Sequence, residues 1–174
     1  MTEPKFIFIN GNINSGKTTL GKNLYTSLRN SEFTDVDYII GDYLNFKDRM
    51  SFPEFTDLRF NTMLQKIKTL RANKIYIFSY LFFQYRYQKI LDILPQQQFI
   101  FITLIPSMRF LLKNKKNRKL TEEEKEKIVR FHNIGITSYP HVGLDIDNTF
   151  LSETATKLVA LKYISKNILT LNSK

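Results

Sequence analysis

The sequence contains no cysteine, and its 174 residues include only six glycines and five prolines. The absence of cysteine excludes disulfides and thiolate metal sites, and it fits a reducing compartment. The longest apolar runs are Ile75–Phe83, interrupted by Ser79, and Phe99–Ile105. Both are far shorter than the ~20 residues that a membrane-spanning helix needs. The N-terminal residues also lack the basic, apolar and small-residue regions of a signal peptide, so we expect a cytoplasmic protein.

No repeat, low-complexity linker or Pro/Gly-rich break divides the chain. Hydrophobic residues make up 43% and aromatic residues 14% of the sequence, which is typical of a packed globule and not of a disordered chain. We therefore predict that residues 1–174 form one domain.

Acidic residues are scarce: the sequence has 16 of them and 26 basic residues, so the formal net charge is +10. Three interpretations stay open: a solvated basic surface, a cleft for anionic small molecules such as nucleotides, and a nucleic-acid surface. The abundance of Lys, Asn, Ile and Phe can also reflect a biased genome, so the charge alone does not choose between them.

Short apolar segments alternate with amphipathic ones along the whole chain. The apolar segments predict five strands, at Lys5–Asn10, Val36–Ile40, Lys74–Ser79, Phe99–Ile105 and Val142–Ile146. The segments between and after them predict helices, at Gly16–Asn30, Phe52–Ala72, Phe82–Leu94, Ser107–Lys116, Thr121–Asn133 and Ser152–Ser165. Strands separated by helices imply βαβ units, so we predict an α/β fold with a five-stranded parallel sheet.

The first predicted strand runs directly into a phosphate-binding pattern, G-x-x-x-x-G-K-[ST], before the first helix. The residues that we expect to hold the phosphates of a nucleotide are Gly11, Asn12, Ile13, Asn14, Ser15, Gly16, Lys17, Thr18 and Thr19. The two glycines let the backbone turn its N–H groups toward phosphate oxygens, and the helix adds its free amides and its dipole. Lys17 would reach the β- and γ-phosphates, and the Thr18 hydroxyl would bind Mg²⁺.

Several nucleotide-binding classes lack support in the sequence. No aspartate has glycine three residues later, so the D-x-x-G switch of GTPases is missing, and Asn114-Lys115-Lys116-Asn117 ends in Asn where a guanine-reading motif has Asp. The third predicted strand ends Ile77-Phe78-Ser79, without the carboxylate that motor and AAA-type ATPases place there. Compact kinases remain.

Further stretches resemble the small-molecule P-loop kinases, above all gluconate kinase and its relatives shikimate kinase, adenylylsulfate kinase and chloramphenicol phosphotransferase. The matching stretches are YIIGDYL, with Gly41-Asp42; IFSYLFFQYRYQKIL, with Ser79, Leu81, Tyr85 and Arg86 at matching spacing; FIFITLIPSMRFLLKNKKNRKLTEEE; and DIDNTFLSETATKLVALK. The resemblance implies a three-layer α/β/α P-loop NTPase fold, an acceptor region at 43–72, a lid at 107–130, and ATP and Mg²⁺ as cofactors. The histidine that follows Gly-Asp in gluconate kinases is absent here.

Asp42 ends the second predicted strand, where it would lie beside the phosphate loop at the carboxyl edge of the sheet. We predict that it orients or deprotonates the acceptor hydroxyl and holds Mg²⁺ through water. The alternative is a turn or helix cap. Asp35 and Asp37 are expected at the surface of the strand edge.

Six cations and no acid lie between Ser107 and Leu120. Such a run is often only a solvated face, but its place after the fourth strand matches a lid. Arg118 is the first choice for contacting the transferred phosphoryl group, and Lys115 the second, because a guanidinium matches phosphate geometry.

Arg49, Arg59 and Arg86 are predicted to bind an anionic or polyhydroxylated acceptor, with helix caps and surface ion pairs as the alternative. Phe52, Phe55 and Phe60 could line the same pocket or simply pack in the core. His132 and His141 are too few and too separated to indicate a metal site.

These observations predict an ATP-dependent phosphotransferase that moves the γ-phosphoryl group, with Mg²⁺, to a sugar-like, nucleoside or nucleotide acceptor. The alternative is a nucleotide-binding module with little catalysis, whose basic surface binds nucleic acid or a protein partner.

Overall fold

A computed structural model describes residues 3–115, 118–141 and 143–167. Its centre is a parallel sheet with strand order β2-β3-β1-β4-β5. The strands are β1 (Lys5–Gly11), β2 (Ser31–Asp35), β3 (Ile75–Ser79), β4 (Phe99–Leu104) and β5 (Gly143–Ile146). The helices are α1 (Lys17–Ser27), α2 (Phe52–Ile67), α3 (Gln84–Leu91), α4 (Met108–Leu111), α5 (Glu122–Asn133) and α6 (Glu153–Asn167).

The two faces of the sheet carry different side chains because residues alternate along each buried strand. One face is aromatic, with Phe6 and Phe8 of β1 in a cluster with Phe60 of α2 and Tyr87 of α3. The other is aliphatic, with Ile7 and Ile9 of β1 in a cluster that includes Leu24 of α1 and Ile164 of α6. The helices therefore form two outer layers, and the predicted three-layer α/β/α fold with five parallel strands is confirmed.

The predicted second strand, Val36–Ile40, is wrong. The observed strand is Ser31–Asp35, in which Asp35 lies opposite Ser79 of β3, and Val36–Tyr38 forms a 3₁₀ turn. Asp35 starts this turn because its carboxylate accepts a hydrogen bond from the Asp37 amide (3.2 Å). The strand lies at the sheet edge and is only partly buried, so its sequence lacks the continuous apolar run that marks the inner strands.

Other predicted elements match the structure apart from their ends, with one exception. The fourth helix was predicted over Ser107–Lys116, but only the single turn of α4 forms after Ser107, whose hydroxyl accepts a bond from the Phe110 amide. Lys116 and Val142, which bound two of the predicted elements, lie outside the described residues. None of the described helices combines the length and apolarity needed to cross a membrane.

Two capping boxes fix the helices that border the site described below. Ser51 and Glu54 exchange hydrogen bonds at the start of α2, and Thr121 and Glu124 do so at the start of α5. Each box satisfies amides that the first helical turn leaves free, so the starting points of both helices are well defined.

Candidate active site

The phosphate loop lies between β1 and α1, and its two glycines are required for different reasons. Gly11 has φ +149°, and a Cβ there would come within 2.6 Å of Ser15 Oγ and 2.9 Å of the Leu104 carbonyl oxygen. Gly16 has φ +101° and forms the N-cap of α1. A side chain is therefore disfavoured at the first glycine by close contact and at the second by backbone conformation.

The start of α1 offers unpaired amides. The Leu20 amide makes the first bond of the helix, to the Gly16 carbonyl (2.9 Å), so the amides of residues 17–19 precede it. Gly16 supplies no side-chain cap. Because these amides and the helix dipole point the same way, this end of α1 is suited to an anion.

Two asparagines of the loop bind neighbouring backbone instead of the cavity. Asn12 donates to the Ile128 carbonyl (3.0 Å), and Asn14, at φ 63°, donates to the carbonyls of Leu111 (2.8 Å) and Lys113 (3.1 Å). Both were predicted to bind the nucleotide, and their side chains are already engaged. Their contribution is to hold the loop against the segments that follow β4.

The Lys17 ammonium lies over the loop and donates to the Asn12 carbonyl (2.8 Å). Burial lowers the pKa of Lys17 to about 8, which Asp37 and Asp35 oppose and Arg118 and Lys115 reinforce. A buried cation in this position gains strongly from a polyanion, which would restore the charge compensation that burial removes.

A hydroxyl and a carboxylate meet beside the loop. Thr18 Oγ1 donates to Asp35 Oδ2 (2.7 Å), so two hard oxygen groups lie next to the phosphate-binding amides. Mg²⁺ prefers oxygen ligands and keeps several waters and phosphate oxygens, so one or two protein groups are enough to hold it. Thr18 and Asp35 fit this requirement. Asp35 was missed because the second strand was placed too late in the chain.

Asp42 lies elsewhere. It is exposed, precedes the 3₁₀ turn Tyr43–Asn45 without making a side-chain cap, and is not among the residues that line the cavity. Its assignment depended on the predicted strand Val36–Ile40, which would lead directly into Gly41-Asp42, whereas β2 ends at Asp35. The structure therefore gives its predicted catalytic and Mg²⁺-binding roles no geometric basis, and it brings Asp37 into the cavity instead.

A cavity of about 1280 Å³ extends from the phosphate loop to α2 and α3. We call its first part the donor end, which comprises residues 13–19 with Lys113, Lys115, Arg118, Asn148 and Thr149. We call its second part the acceptor end, which comprises Asp37, Phe52, Thr56, Asp57, Arg59, Tyr80, Leu81, Phe83, Tyr85 and Arg86. The volume exceeds the ~300–1,000 Å³ of an ordinary ligand pocket, so the cavity has room for two ligands.

The segment after α4, which belongs to the predicted lid at 107–130, brings cations to the donor end. Lys115 donates to the Asn14 carbonyl (2.7 Å), and its ammonium lies 4.6 Å from the centre of the Phe110 ring. Partial burial, followed by the charge of Arg118, lowers the pKa of Lys115. Arg118 pairs with Glu124 (2.7 Å) and is half exposed, so its guanidinium can turn toward a ligand.

Two of the three predicted acceptor arginines border the cavity. Arg59 and Arg86 line the acceptor end and are buried, whereas Arg49 is exposed and lies outside it. Arg59 pairs with Asp37 (3.6 Å) and Arg86 with Asp57 (2.9 Å). The arginines are therefore neutralised by carboxylates that the sequence did not single out.

The aromatic side chains considered for the acceptor pocket lie in two places, the core and the cavity wall. Phe55 and Phe60 are fully buried, which is the packing role considered for them, while Phe52 is partly exposed and lines the acceptor end. Tyr80 donates from its hydroxyl to the Thr56 carbonyl (2.9 Å), and burial raises its pKa to about 12. Tyr80 thus stays neutral and acts as a fixed part of the wall.

The fold matches solved kinases over nearly its whole length. A gluconokinase from Sinorhizobium meliloti 1021 aligns with TM-score 0.75 and 11% identity, over 99% of this chain and 98% of that chain. A shikimate kinase from Acinetobacter baumannii, solved in complex with shikimate, aligns with TM-score 0.65 and 22% identity, over 98% and 94%. A thymidylate kinase from Candida albicans aligns with TM-score 0.65 and 16% identity, over 95% and 92%.

The fold is that of the small-molecule P-loop kinases. The resemblance noted in the sequence is therefore confirmed at the level of structure. By sequence alone, no protein-family model and no curated protein matches this chain. The TM-scores show a shared P-loop kinase fold, and the low sequence identities leave the acceptor unassigned.

Proposed function

We propose that this protein is a kinase that transfers the γ-phosphoryl group of ATP to a hydroxyl group of a small acceptor. The observation that supports it best is the continuous cavity between the phosphate loop and the acceptor end. A donor and an acceptor bound in one cavity can be held in line, which is most of what phosphoryl transfer requires of a protein.

The donor end would bind the triphosphate. Amides of residues 17–19 would donate to phosphate oxygens, and the Lys17 ammonium would leave the Asn12 carbonyl for the β- and γ-phosphates. Thr18 and Asp35 would hold Mg²⁺. When bound, Mg²⁺ neutralises phosphate charge. Arg118 and Lys115 would add positive charge around the transferred group.

Asp37 is the residue best placed to receive the acceptor hydroxyl. Its carboxylate lines the cavity, half of its side-chain surface is open, and Arg59 lies behind it. Although this half is open, the protein packed around the rest of the carboxylate removes water from it and raises the pKa of Asp37, against the opposing effect of Lys17. A carboxylate with a raised pKa is a stronger base, so Asp37 would orient the hydroxyl and accept its proton as the oxygen attacks.

Solved structures with this fold support the reaction class without naming the acceptor. Their names include gluconokinase, shikimate kinase and thymidylate kinase, so the same fold serves acceptors of different chemistry. The acceptor must be inferred from the side chains of this chain.

The direct test is transfer of label. Full-length protein is incubated with Mg²⁺, γ-labelled ATP and pooled metabolites, and label that leaves ATP is separated into inorganic phosphate and organic products. We expect a labelled organic product. Label that stays in ATP, together with no Mg²⁺-dependent ATP binding by calorimetry, would reject the kinase assignment.

A further inference from the structure

The acceptor end presents carboxylates to the cavity and keeps its arginines behind them. The Arg86 side chain is 2% exposed while that of its partner Asp57 is 50% exposed. The same order holds for Arg59, at 9%, and Asp37, at 54%. At these two pairs a bound molecule therefore meets the carboxylate before the guanidinium, while the rest of the lining also includes Lys127, which pairs with Glu123, and the exposed Arg130.

Arg86 is already bound by protein groups. It donates to the Leu81 carbonyl (3.0 Å), to Thr56 Oγ1 (3.1 Å) and to Asp57 Oδ1 (2.9 Å). Its guanidinium also lies 4.9–5.5 Å from the centres of four aromatic rings, those of Phe60, Tyr80, Phe83 and Tyr85. Because the Arg86 side chain is only 2% exposed, an acceptor anion could contact this charge only by displacing groups that cover it.

Asp57 is held in place from a second side. The Tyr85 hydroxyl donates to the same Asp57 oxygen (2.8 Å) that accepts from Arg86. Although partial burial opposes ionisation, these two hydrogen bonds lower the pKa of Asp57. Arg59 is fixed in a similar way, because it donates to the Gly41 carbonyl (2.8 Å) and packs 4.3 Å from the centre of the Phe55 ring.

Flat apolar surfaces flank these carboxylates. Phe52 and Tyr85 are partly exposed within the cavity lining. Phe83 stacks on Tyr85 at 5.8 Å between ring centres and meets Phe131 edge to face at 5.9 Å. Exposed rings beside hydrogen-bond acceptors suit a ligand that joins a planar ring to hydroxyl groups.

We propose that the acceptor is a neutral nucleoside, and not a nucleotide or a sugar acid. This inference rests on the proposed kinase function. One hydroxyl of the sugar would donate to Asp37, a second donor would reach Asp57, and the base would lie against Phe52, Phe83 and Tyr85. A phosphate or carboxylate in the same place would lie against two carboxylates, which is unfavourable.

The proposed reaction is one displacement at the γ-phosphorus of ATP. The nucleoside oxygen forms a bond to the γ-phosphorus, the bond from that phosphorus to the β,γ-bridging oxygen breaks, and the hydroxyl proton passes to the Asp37 carboxylate. The products are ADP and a nucleoside monophosphate.

The test is a panel of acceptors with γ-labelled ATP and the full-length wild-type protein. The panel contains the common ribo- and deoxyribonucleosides, their 5′-monophosphates, free ribose, gluconate and shikimate. We expect at least one nucleoside to exceed its monophosphate and both acids by about 100-fold in kcat/KM. Ribose, which lacks the base, should fall below that nucleoside by about tenfold or more.

The outcomes separate this inference from the kinase assignment. Faster transfer to a monophosphate, to gluconate or to shikimate would overturn the nucleoside inference and leave the kinase assignment standing. Mg²⁺-dependent binding of ATP with no transfer to any nucleoside would overturn the inference as well. Absence of both ATP binding and transfer would remove both.

A variant tests the position of the carboxylate. Asp57→Asn keeps the shape of the side chain but leaves the Arg86 charge without a counterion. The ratio of kcat/KM for the nucleoside to kcat/KM for its monophosphate should therefore fall by about tenfold. The matched control is Asp48→Asn, since Asp48 is exposed and outside the cavity lining. An unchanged preference in a variant that melts like the wild type would contradict the proposal; a variant that fails to fold leaves the wild-type panel to decide.

Discussion

The donor and acceptor ends of the cavity obtain their charge in different ways. At the donor end, backbone amides and the single cation Lys17 come from one continuous segment, and nearby Lys115 and Arg118 join them. At the acceptor end, each arginine is paired with a carboxylate, Arg59 with Asp37 and Arg86 with Asp57. The donor end is therefore a site of net positive charge, and the acceptor end is a set of compensated pairs.

This difference matches what each end would have to recognise. A polyphosphate is the same in every nucleoside triphosphate, so amides and a lysine that read only charge and shape are sufficient. Acceptors differ in chemistry, and side chains drawn from several elements can change one at a time without altering the fold. For the proposed kinase function, the specificity for the acceptor would therefore depend on the side chains of the acceptor end.

The largest expected effect is at the centre of the donor end. Lys17→Met should lower kcat/KM for ATP by about 1,000-fold or more, which corresponds to about 4 kcal/mol of lost transition-state stabilisation. Because burial already disfavours the Lys17 charge, the melting temperature should not fall.

Steady-state kinetics and thermal denaturation measure both quantities for Lys17→Met. The control is Lys22→Met, which changes an exposed lysine of the same helix. Equal loss of activity in the two variants would show that general positive charge, and not the loop cation, binds the phosphates.

The second largest effect is expected at Asp37, the carboxylate that we propose accepts the proton of the acceptor hydroxyl. Asp37→Asn should lower kcat by about 100-fold or more, because an amide cannot accept the acceptor proton. The dissociation constant of ATP should stay within about twofold, since a neutral amide retains the contact with Arg59.

Single-turnover kinetics and calorimetry check Asp37→Asn, and Asp42→Asn is the control that compares the two aspartates directly. If Asp42→Asn loses activity and Asp37→Asn does not, the site has been assigned to the wrong carboxylate, and the sequence prediction for Asp42 was the better one.

The donor end could be predicted from the sequence because its determinants are local. Gly11, Gly16, Lys17 and Thr18 lie in one stretch between a buried strand and a helix, and both elements formed where the pattern placed them. Strands β1, β3 and β4 were recognisable for the same reason, since burial on both faces gives continuous apolar runs.

The acceptor end could not be predicted in the same way because it depends on an edge strand and on pairings between elements. The strand was predicted at Val36–Ile40, whereas the observed strand β2, Ser31–Asp35, is partly buried throughout and contains one apolar residue, Phe33. The available signal was the pair of carboxylates, Asp35 and Asp37, at the end of this polar segment. The partners of Arg59 and Arg86 become visible only when helix α2 is packed on the sheet.

A third, smaller effect concerns stability and the shape of the loop. Gly11→Ala should lower the free energy of unfolding by about 1–3 kcal/mol, because its Cβ would press on Ser15 and the Leu104 carbonyl. The matched control is Gly41→Ala, which also has positive φ but has open space around the added carbon. Urea denaturation measures both variants, and an equal loss would show that backbone strain alone is responsible.

The smallest effects are expected from removing the capping boxes of α2 and α5, one helix at each end of the cavity. Ser51→Ala removes the cap of α2, which carries Asp57 and Arg59, and Thr121→Ala removes that of α5, most of which lies within the predicted lid at 107–130. Each should cost about 1 kcal/mol of stability. Ser51→Ala should then raise the KM for the acceptor and Thr121→Ala the KM for ATP, each by a few-fold and without the reverse effect, as steady-state kinetics can measure. If both variants changed both constants equally, the two ends would behave as one cooperative unit, and the distinction drawn from their charges would not extend to their mechanics.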